Sequence, residues 1–270
     1  MSHKKALFQY RTIVISDVHL GTFGCRAREL GNFLKRADCE RLILNGDIID
    51  GWQLAHDGSN WNAQHTRVVR HILKKIEKRG TEVVYLRGNH DEMLDKIIPL
   101  SFDKLRLVRE YRLETARGPY LVVHGDIFDL LTVKYRWLAV LGGWSYDFLI
   151  SLTAWVNHFR HAMHKPPSSL SRKIKAKVKQ AMQYVSNFES AATELARQRG
   201  CIGVIVGHIH TPKDEQKNGI HYLNSGDWVE SLTALVEHLD GRFEILTHAE
   251  ICRRIEESKQ RPMLALAAGA

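Results

Sequence analysis

Five short apolar runs, each followed within two residues by Gly, Asp, Asn or His, constrain this chain more than any other feature. They fall at residues 12–16, 41–45, 82–86, 120–124 and 203–207, and are rich in Val, Ile and Leu. Runs of this length and composition read as buried strands carrying polar residues at their carboxyl ends. Helical periodicity lies between several of them, at 26–36 and at 62–79, the latter stopped by Gly80. Strand and helix in alternation specify an α/β layered sheet. Residues 219–224, 233–238 and 242–246 add strands joined by turns at Gly226 and Asp240-Gly241. A second sheet packed on the first follows, giving a four-layer α/β/β/α sandwich as the expected fold.

Within the 270 residues, 127–199 lack strand signals and read as a helical insertion, or cap. It separates two parts of one core, 1–126 and 200–250, and residues 251–270 follow as a tail expected to be loosely ordered beyond Arg254. Residues 137–156 are nearly apolar, yet Asp147 sits near their middle and Gly142-Gly143 interrupts them. A central aspartate costs roughly 2.5–3.5 kcal/mol even on insertion scales, so cap helices are expected there rather than a membrane span. After Pro166-Pro167, Ile174, Val178, Ala181, Met182, Val185 and Phe188 recur at helical spacing among lysines. That pattern is an amphipathic helix with a basic face.

Charge reinforces this reading. The chain carries a formal +9, and Arg160, Lys165, Arg172, Lys173, Lys175, Lys177 and Lys179 occur without an intervening acid. Such a surface attracts anionic membrane or nucleic acid, although a solvated helix face fits the same charges. Residues 1–10 hold two lysines and no sustained apolar run, so no secretory signal and a cytoplasmic location are expected. Cys25, Cys39, Cys201 and Cys252 are widely spaced, which disfavours a disulfide framework and a thiolate metal site.

The chemistry is concentrated in five motifs at the strand ends: Asp17-Val-His19, Gly46-Asp47, Gly88-Asn-His-Asp91, His124-Gly-Asp126 and Gly207-His-Ile-His210. In open α/β sheets ligands bind beyond the carboxyl ends of strands, so these motifs converge. Each alone is a weak signal; a lone Asp-x-His is more often a turn than a ligand, and a lone Gly-Asp is almost uninformative. Together they offer carboxylate, amide and imidazole donors without sulfur, a set suited to Mn2+, Fe2+, Zn2+ or Co2+. Two ions about 3.5–4 Å apart need a bridging carboxylate, and Asp47 at its strand end is the candidate. The adjacent glycines allow close backbone approach.

This ordered set resembles the calcineurin-like metallophosphoesterase superfamily over roughly residues 11–246, the insertion excepted. The resemblance implies two divalent ions, Mn2+ foremost. Asp17, His19, Asp47 and His210 would hold one of them, and Asp47, Asn89, His124 and His208 the other. His90, just outside that metal shell, is expected to stabilise the developing charge or to protonate the leaving oxygen, with Asp91 holding its tautomer. Within the superfamily the chain is most similar to the UDP-2,3-diacylglucosamine pyrophosphatases of lipid A biosynthesis. The likeness rests on Ser16-Asp-Val-His-Leu-Gly21, the position of the insertion, and Asn224-Ser-Gly-Asp-Trp-Val-Glu230. In those enzymes arginine usually follows the asparagine, where this chain has His90.

The expected substrate is an acylated nucleotide-sugar, cleaved to UMP and a lipid sugar 1-phosphate at the cytoplasmic face of the inner membrane. Arg87 is the candidate for a substrate phosphate, and Trp137, Trp144, Phe148 and Trp155 for the acyl trough. The rival expectation is a phosphodiesterase or nuclease using the same basic surface. No aromatic and glycine pattern of a nucleic-acid module accompanies that surface, and no protein partner is implied.

Overall fold

Successive side chains of a strand point to opposite faces, and in this chain both faces meet apolar partners. The computed structural model describes residues 7–55, 60–131 and 170–267. Its strands are β1 Phe8–Ile15, β2 Ala37–Asn45, β3 Glu82–Leu86, β4 Leu100–Phe102, β5 Leu105–Val108, β6 Glu110–Thr115, β7 Gly118–Val123, β8 Gly203–Val206, β9 Lys213–Lys217, β10 Ile220–Asn224, β11 Thr233–Glu237 and β12 Phe243–Thr247. They form a seven-stranded sheet in the order β12-β11-β1-β2-β3-β5-β4 and a five-stranded sheet in the order β6-β7-β8-β10-β9. The middle of each sheet is parallel, β1-β2-β3-β5 in one and β7-β8-β10 in the other. Parallel strands covered on both faces are continuous apolar runs, which is why these segments lack polar alternation.

Three hydrophobic layers hold the sheets. Val14, Ile43 and Val84 meet Tyr120, Val122 and Ile205 between them. On the outer side of the larger sheet, Ile13, Leu42 and Val83 pack with Leu30 and Phe33 of α1 (Ala27–Arg36) and Val68 of α3 (Ala63–Arg79). Outside the smaller sheet, Leu121, Val204 and Tyr222 pack with Tyr184, Phe188 and Ala192 of α4 (Leu170–Gln198). The result is the α/β/β/α sandwich. Truncating a fully buried core residue such as Leu30 to alanine would cost about 2–5 kcal/mol.

Local signals place the helix ends. The Asn62 side chain caps α3 by accepting from Gln64 N at 2.8 Å, and Gly80 ends it at φ 68°, a left-handed turn natural to glycine. The short α2 (Gly51–Ala55) follows the end of β2. On α4 the buried stripe is Tyr184, Phe188, Ala192 and Ala196, spaced by four residues. Met182, expected on the apolar face, is instead 68% exposed.

The tail is the larger departure. Residues expected to be loosely ordered form α5 (His248–Ala267), with Ile251 buried, Ile255 against the core and Arg254 paired to Glu244 at 2.6 Å. Apolar residues in helical register supply the contacts that fix it. All four cysteines are free thiols.

Trp137, Trp144, Phe148 and Trp155 lie outside the described residues, as do Arg160 and Lys165. Side chains described on α4 begin at the exposed Lys179, so those of Arg172, Lys173, Lys175 and Lys177 are also outside. Among the described residues no helix is long and apolar enough to cross a membrane.

Candidate metal centre

The strand ends deliver their ligands through an unusual backbone. Asp17 (φ 50°), His19 (51°), Asp47 (52°), His208 (66°) and His210 (52°) all adopt the left-handed conformation. Non-glycine residues avoid it, at a cost of order 1 kcal/mol or more each, and it persists only where surroundings enforce it. Here Asp17, Val18 and His19 donate backbone N–H bonds of 2.9–3.1 Å to Gly46 O and Asp47 O, clamping the ends of β1 and β2 together.

Glycines let the turns approach one another. A Cβ on Gly88 would lie 2.3 Å from Asp47 Oδ1, one on Gly207 2.6 Å from Asp17 Oδ2, and one on Gly46 2.3 Å from His124 Nδ1. All three positions exclude any side chain.

Three donor groups emerge among the described residues, Asp17 with His19 and His210, Asp47 with His124 and His208, and His19 with Asp50 and His90, the ligand atoms of each lying within 4.8 Å of one another, and the first two hold the expected ligands. Asp47 Oδ2 faces both, 3.4 Å from His124 Nε2 and 4.0 Å from His19 Nε2. His210 Nε2 lies 3.2 Å from Asp17 Oδ1. The structure thus brings together Asp17, His19, Asp47, His124, His208 and His210, and sets Asn89 on the Gly88–Asp91 turn beside Asp47.

Unmet bonding capacity identifies what the centre takes. Both amide atoms of Asn89 are buried without a hydrogen-bond partner among the described residues, and Asp17 Oδ1 and His124 Nε2 face only other members of the centre, His210 Nε2 at 3.2 Å and Asp47 Oδ2 at 3.4 Å. Leaving such atoms unsatisfied is costly, and their clustering fits a cation site. Tautomers agree. His124 Nδ1 donates to Asn45 O at 2.8 Å, leaving the Nε2 lone pair facing Asp47.

Electrostatics record the same demand for positive charge. Burial favours a protonated Asp17, yet the neighbouring His210 holds its carboxyl down at about 2. Burial likewise opposes ionisation of Asp47, but His124, His19 and His90 drive it well below the carboxylate range. The histidines respond in reverse: His210, despite burial, rises to about 9 beside Asp17, and His124 is pushed well up by Asp47. A divalent ion would take the place of these protons.

His90 lies at the edge of this group, half-buried. Its Nδ1 is 2.9 Å from Asp50 Oδ2, which also lies 3.3 Å from His19 Nδ1. Burial lowers the His90 pKa against the pull of Asp47 and Asp50. Asp91, expected to hold the His90 tautomer, does not. Its carboxylate accepts from Ile48 N (3.1 Å), Tyr85 Oη (2.8 Å) and Gly88 N, closing the turn from below. Asp50 takes the role, and the signal for it was an aspartate three residues after Asp47 on the same strand-end turn. Trp52 lies against His90 with ring centroids 4.2 Å apart.

Arg87 is anchored rather than free, its guanidinium binding Asp95 at 3.0 Å and Asp126 of the His124-Gly-Asp126 motif. Residues 224–230 are structural in this setting. Trp228 is fully buried against Phe33 and donates its backbone N–H to Asp17 O at 3.1 Å, while Ser16 Oγ bonds Ser225 Oγ at 2.7 Å. They support the turn that carries Asp17.

Sandwich and site together define a metal-dependent phosphoester hydrolase. The chain matches the Calcineurin-like phosphoesterase family over residues 10–212, and it belongs to that family. Among curated proteins it is similar to the UDP-2,3-diacylglucosamine hydrolase of Shewanella loihica, 23% identical over 83% of this chain and 91% of that one. It is also similar to the enzyme of that name from Aeromonas salmonicida, 25% identical over 83% and 89%. Among solved structures, an archaeal phosphodiesterase aligns over 87% of this chain and 98% of its own, at 13% identity and a TM-score of 0.42.

Proposed function

We propose that the chain hydrolyses phosphoric ester or diphosphate bonds at a pair of divalent ions, Mn2+ foremost. Asp17, His19, Asp47 and His210 would hold one, and Asp47, Asn89, His124 and His208 the other. The observation that carries this is Asp47, whose carboxylate faces ligands of both groups at 3.4 and 4.0 Å. Two ions, when bound, supply an activated water at neutral pH and charge to neutralise phosphoryl oxygens. Asn89 adds a neutral donor, so a phosphate meets less negative charge. In its doubly protonated form, with Nδ1–H donated to the Asp50 carboxylate, His90 would give its Nε2 proton to the leaving oxygen and be left as the neutral imidazole.

For the substrate we infer an acylated nucleotide-sugar such as UDP-2,3-diacylglucosamine, cleaved to UMP and the sugar 1-phosphate. The names of the relatives and the extent of the match support this. Acyl selectivity follows from burial at about 0.8 kcal/mol per methylene, with Trp137, Trp144, Phe148 and Trp155 as the proposed contacts and Arg87 nearer the phosphates. Lysines of the insertion would bring the enzyme to the cytoplasmic face of the inner membrane. Changing Lys173, Lys175, Lys177 and Lys179 to glutamate would then weaken binding to anionic vesicles, at about 1 kcal/mol per nearby charge.

His90 favours a second reading, a phosphodiesterase whose leaving group is an alkoxide. A phosphate leaving group departs as a stable anion and needs no proton, whereas an alkoxide does, and the Asp50–His90 pair is built to give one. The test compares kcat/KM on UDP-2,3-diacylglucosamine, UDP-N-acetylglucosamine, an alkyl phosphodiester and single-stranded nucleic acid with Mn2+. Strong preference for the acylated substrate supports the first reading. Faster cleavage of the diester or nucleic acid overturns it and leaves the two-metal hydrolase standing.

A further inference from the structure

The insertion's return helix reaches the metal centre through one carboxylate. Asp129 lies in the 3-10 turn Asp126–Leu131, directly after the His124 motif. Its Oδ1 is 2.9 Å from His208 Nε2 and accepts the Tyr184 hydroxyl of α4 at 3.0 Å. One ring further along α4, the fully buried Phe188 stacks on His208 with centroids 6.1 Å apart and planes at 24°. Gly125 leaves room for this, since a Cβ there would sit 2.6 Å from Phe188 Cζ and 3.3 Å from His208 Cβ. The same helix is fastened to β9 by Glu189, buried between Lys213 (2.6 Å) and Lys217 (2.5 Å).

We propose that Asp129 is a positioning residue for the second metal. By accepting from Nε2–H it fixes the tautomer of His208 and leaves Nδ1 as the ligand atom, and Tyr184 holds Asp129 in place to do so. The inference rests on the reading that His208 ligates that ion. A carboxylate behind a ligating imidazole orients the ring and raises its basicity, and losing one typically lowers metal affinity about 10- to 100-fold. Because Tyr184 and Phe188 belong to the helix that returns from the insertion, the placement of that helix sets the affinity of one of the two sites. The other site, built from Asp17, His19 and His210, has its own carboxylate behind a ligand, Asp50 at 3.3 Å from His19 Nδ1, carried by the turn after β2 and not by α4. The two sites therefore differ in what supports them, and the insertion acts on one of them.

The experiment is Mn2+ titration of the metal-free protein by calorimetry, with melting temperatures of the metal-free forms alongside. Wild type is expected to bind two ions. Asp129→Ala should weaken one site by about 10- to 100-fold and leave the other unchanged. Asp129→Asn keeps an acceptor oxygen and should recover part of the loss, and Tyr184→Phe should weaken the same site several-fold. Asp129→Asn and Tyr184→Phe barely change volume, so their metal-free melting temperatures should match wild type. They carry the test if the alanine variant does not fold. Undiminished binding of both ions by the Asp129 variants overturns the inference, as does equal weakening of both sites. An unaffected Tyr184→Phe overturns the link to the insertion. A wild type that binds fewer than two ions fails earlier, at the two-metal reading itself.

Discussion

The Asp50 carboxylate lies 2.9 Å from Nδ1 of His90. It also lies 3.3 Å from Nδ1 of His19, whose ring meets that of His90 edge-on at 4.6 Å. One oxygen thus orients both a proposed metal ligand and the proposed proton donor. Asp50→Asn should lower kcat on an alkyl phosphodiester by about 10²- to 10⁴-fold, the range for a positioned acid, and weaken the ion on His19. An aryl diester, whose leaving group needs no proton, should be affected far less. Equal losses on both diesters would show that Asp50 serves the metal alone.

Asp47 faces ligands of both groups, so its charge is shared between them. Asp47→Asn should reduce bound Mn2+ at both sites and abolish turnover, read by elemental analysis and by rate. Two retained ions at a near-normal rate would remove it from the bridging position.

Gly88 and Gly207 test the close approach itself. A methyl on Gly88 falls 2.3 Å from Asp47 Oδ1, so Gly88→Ala should displace that carboxylate and lower metal occupancy while circular dichroism stays unchanged. Gly207→Ala, at 2.6 Å from Asp17 Oδ2, should lower occupancy of the site that Asp17 serves. Normal metal content in both variants would mean that the turns yield more readily than their packing implies.

Glu237 concerns stability rather than catalysis. It is fully buried on β11, bonded by Thr12 Oγ1 at 2.6 Å, and burial raises its pKa above the ordinary 4.5. A carboxyl raised in the folded state binds its proton more tightly there than in the unfolded chain. Its contribution therefore turns unfavourable as pH climbs from the unfolded value through the folded one. Relative to Glu237→Gln, wild type should gain melting temperature as pH falls through the raised folded value toward the ordinary 4.5. A difference that does not change with pH would show that Glu237 titrates normally.

Much of this was legible in sequence because it rests on local pattern. The central strands are buried on both faces, so 12–16, 41–45 and 203–207 stand out as apolar runs, and the ligands follow them directly. β9, with the sequence Lys-Asp-Glu-Gln-Lys, carries no such signal, since an edge strand facing solvent needs no apolar residue. Asp50 was hidden by its place after two isoleucines, where an aspartate reads as an ordinary turn. Asp129 was hidden in the apolar stretch Ile127-Phe-Asp-Leu-Leu131, and its partner His208 is 79 residues away. Asp91 was misassigned because adjacency in sequence suggested a contact with His90 that the turn directs elsewhere. Helix α5 depends on contacts with β12 and the core that periodicity alone does not reveal.

The backbone N–H of His208 donates to Asp17 Oδ2 at 3.0 Å across 191 residues of chain. A ribosome must therefore finish most of the protein, insertion included, before the first ligand can meet the last. Ions that bind the assembled centre stabilise only molecules that have closed this span, by mass action. A bound ion would thus reward only a chain in which Asp17 and His208 have met, and a chain that ends before His208 gains nothing from metal.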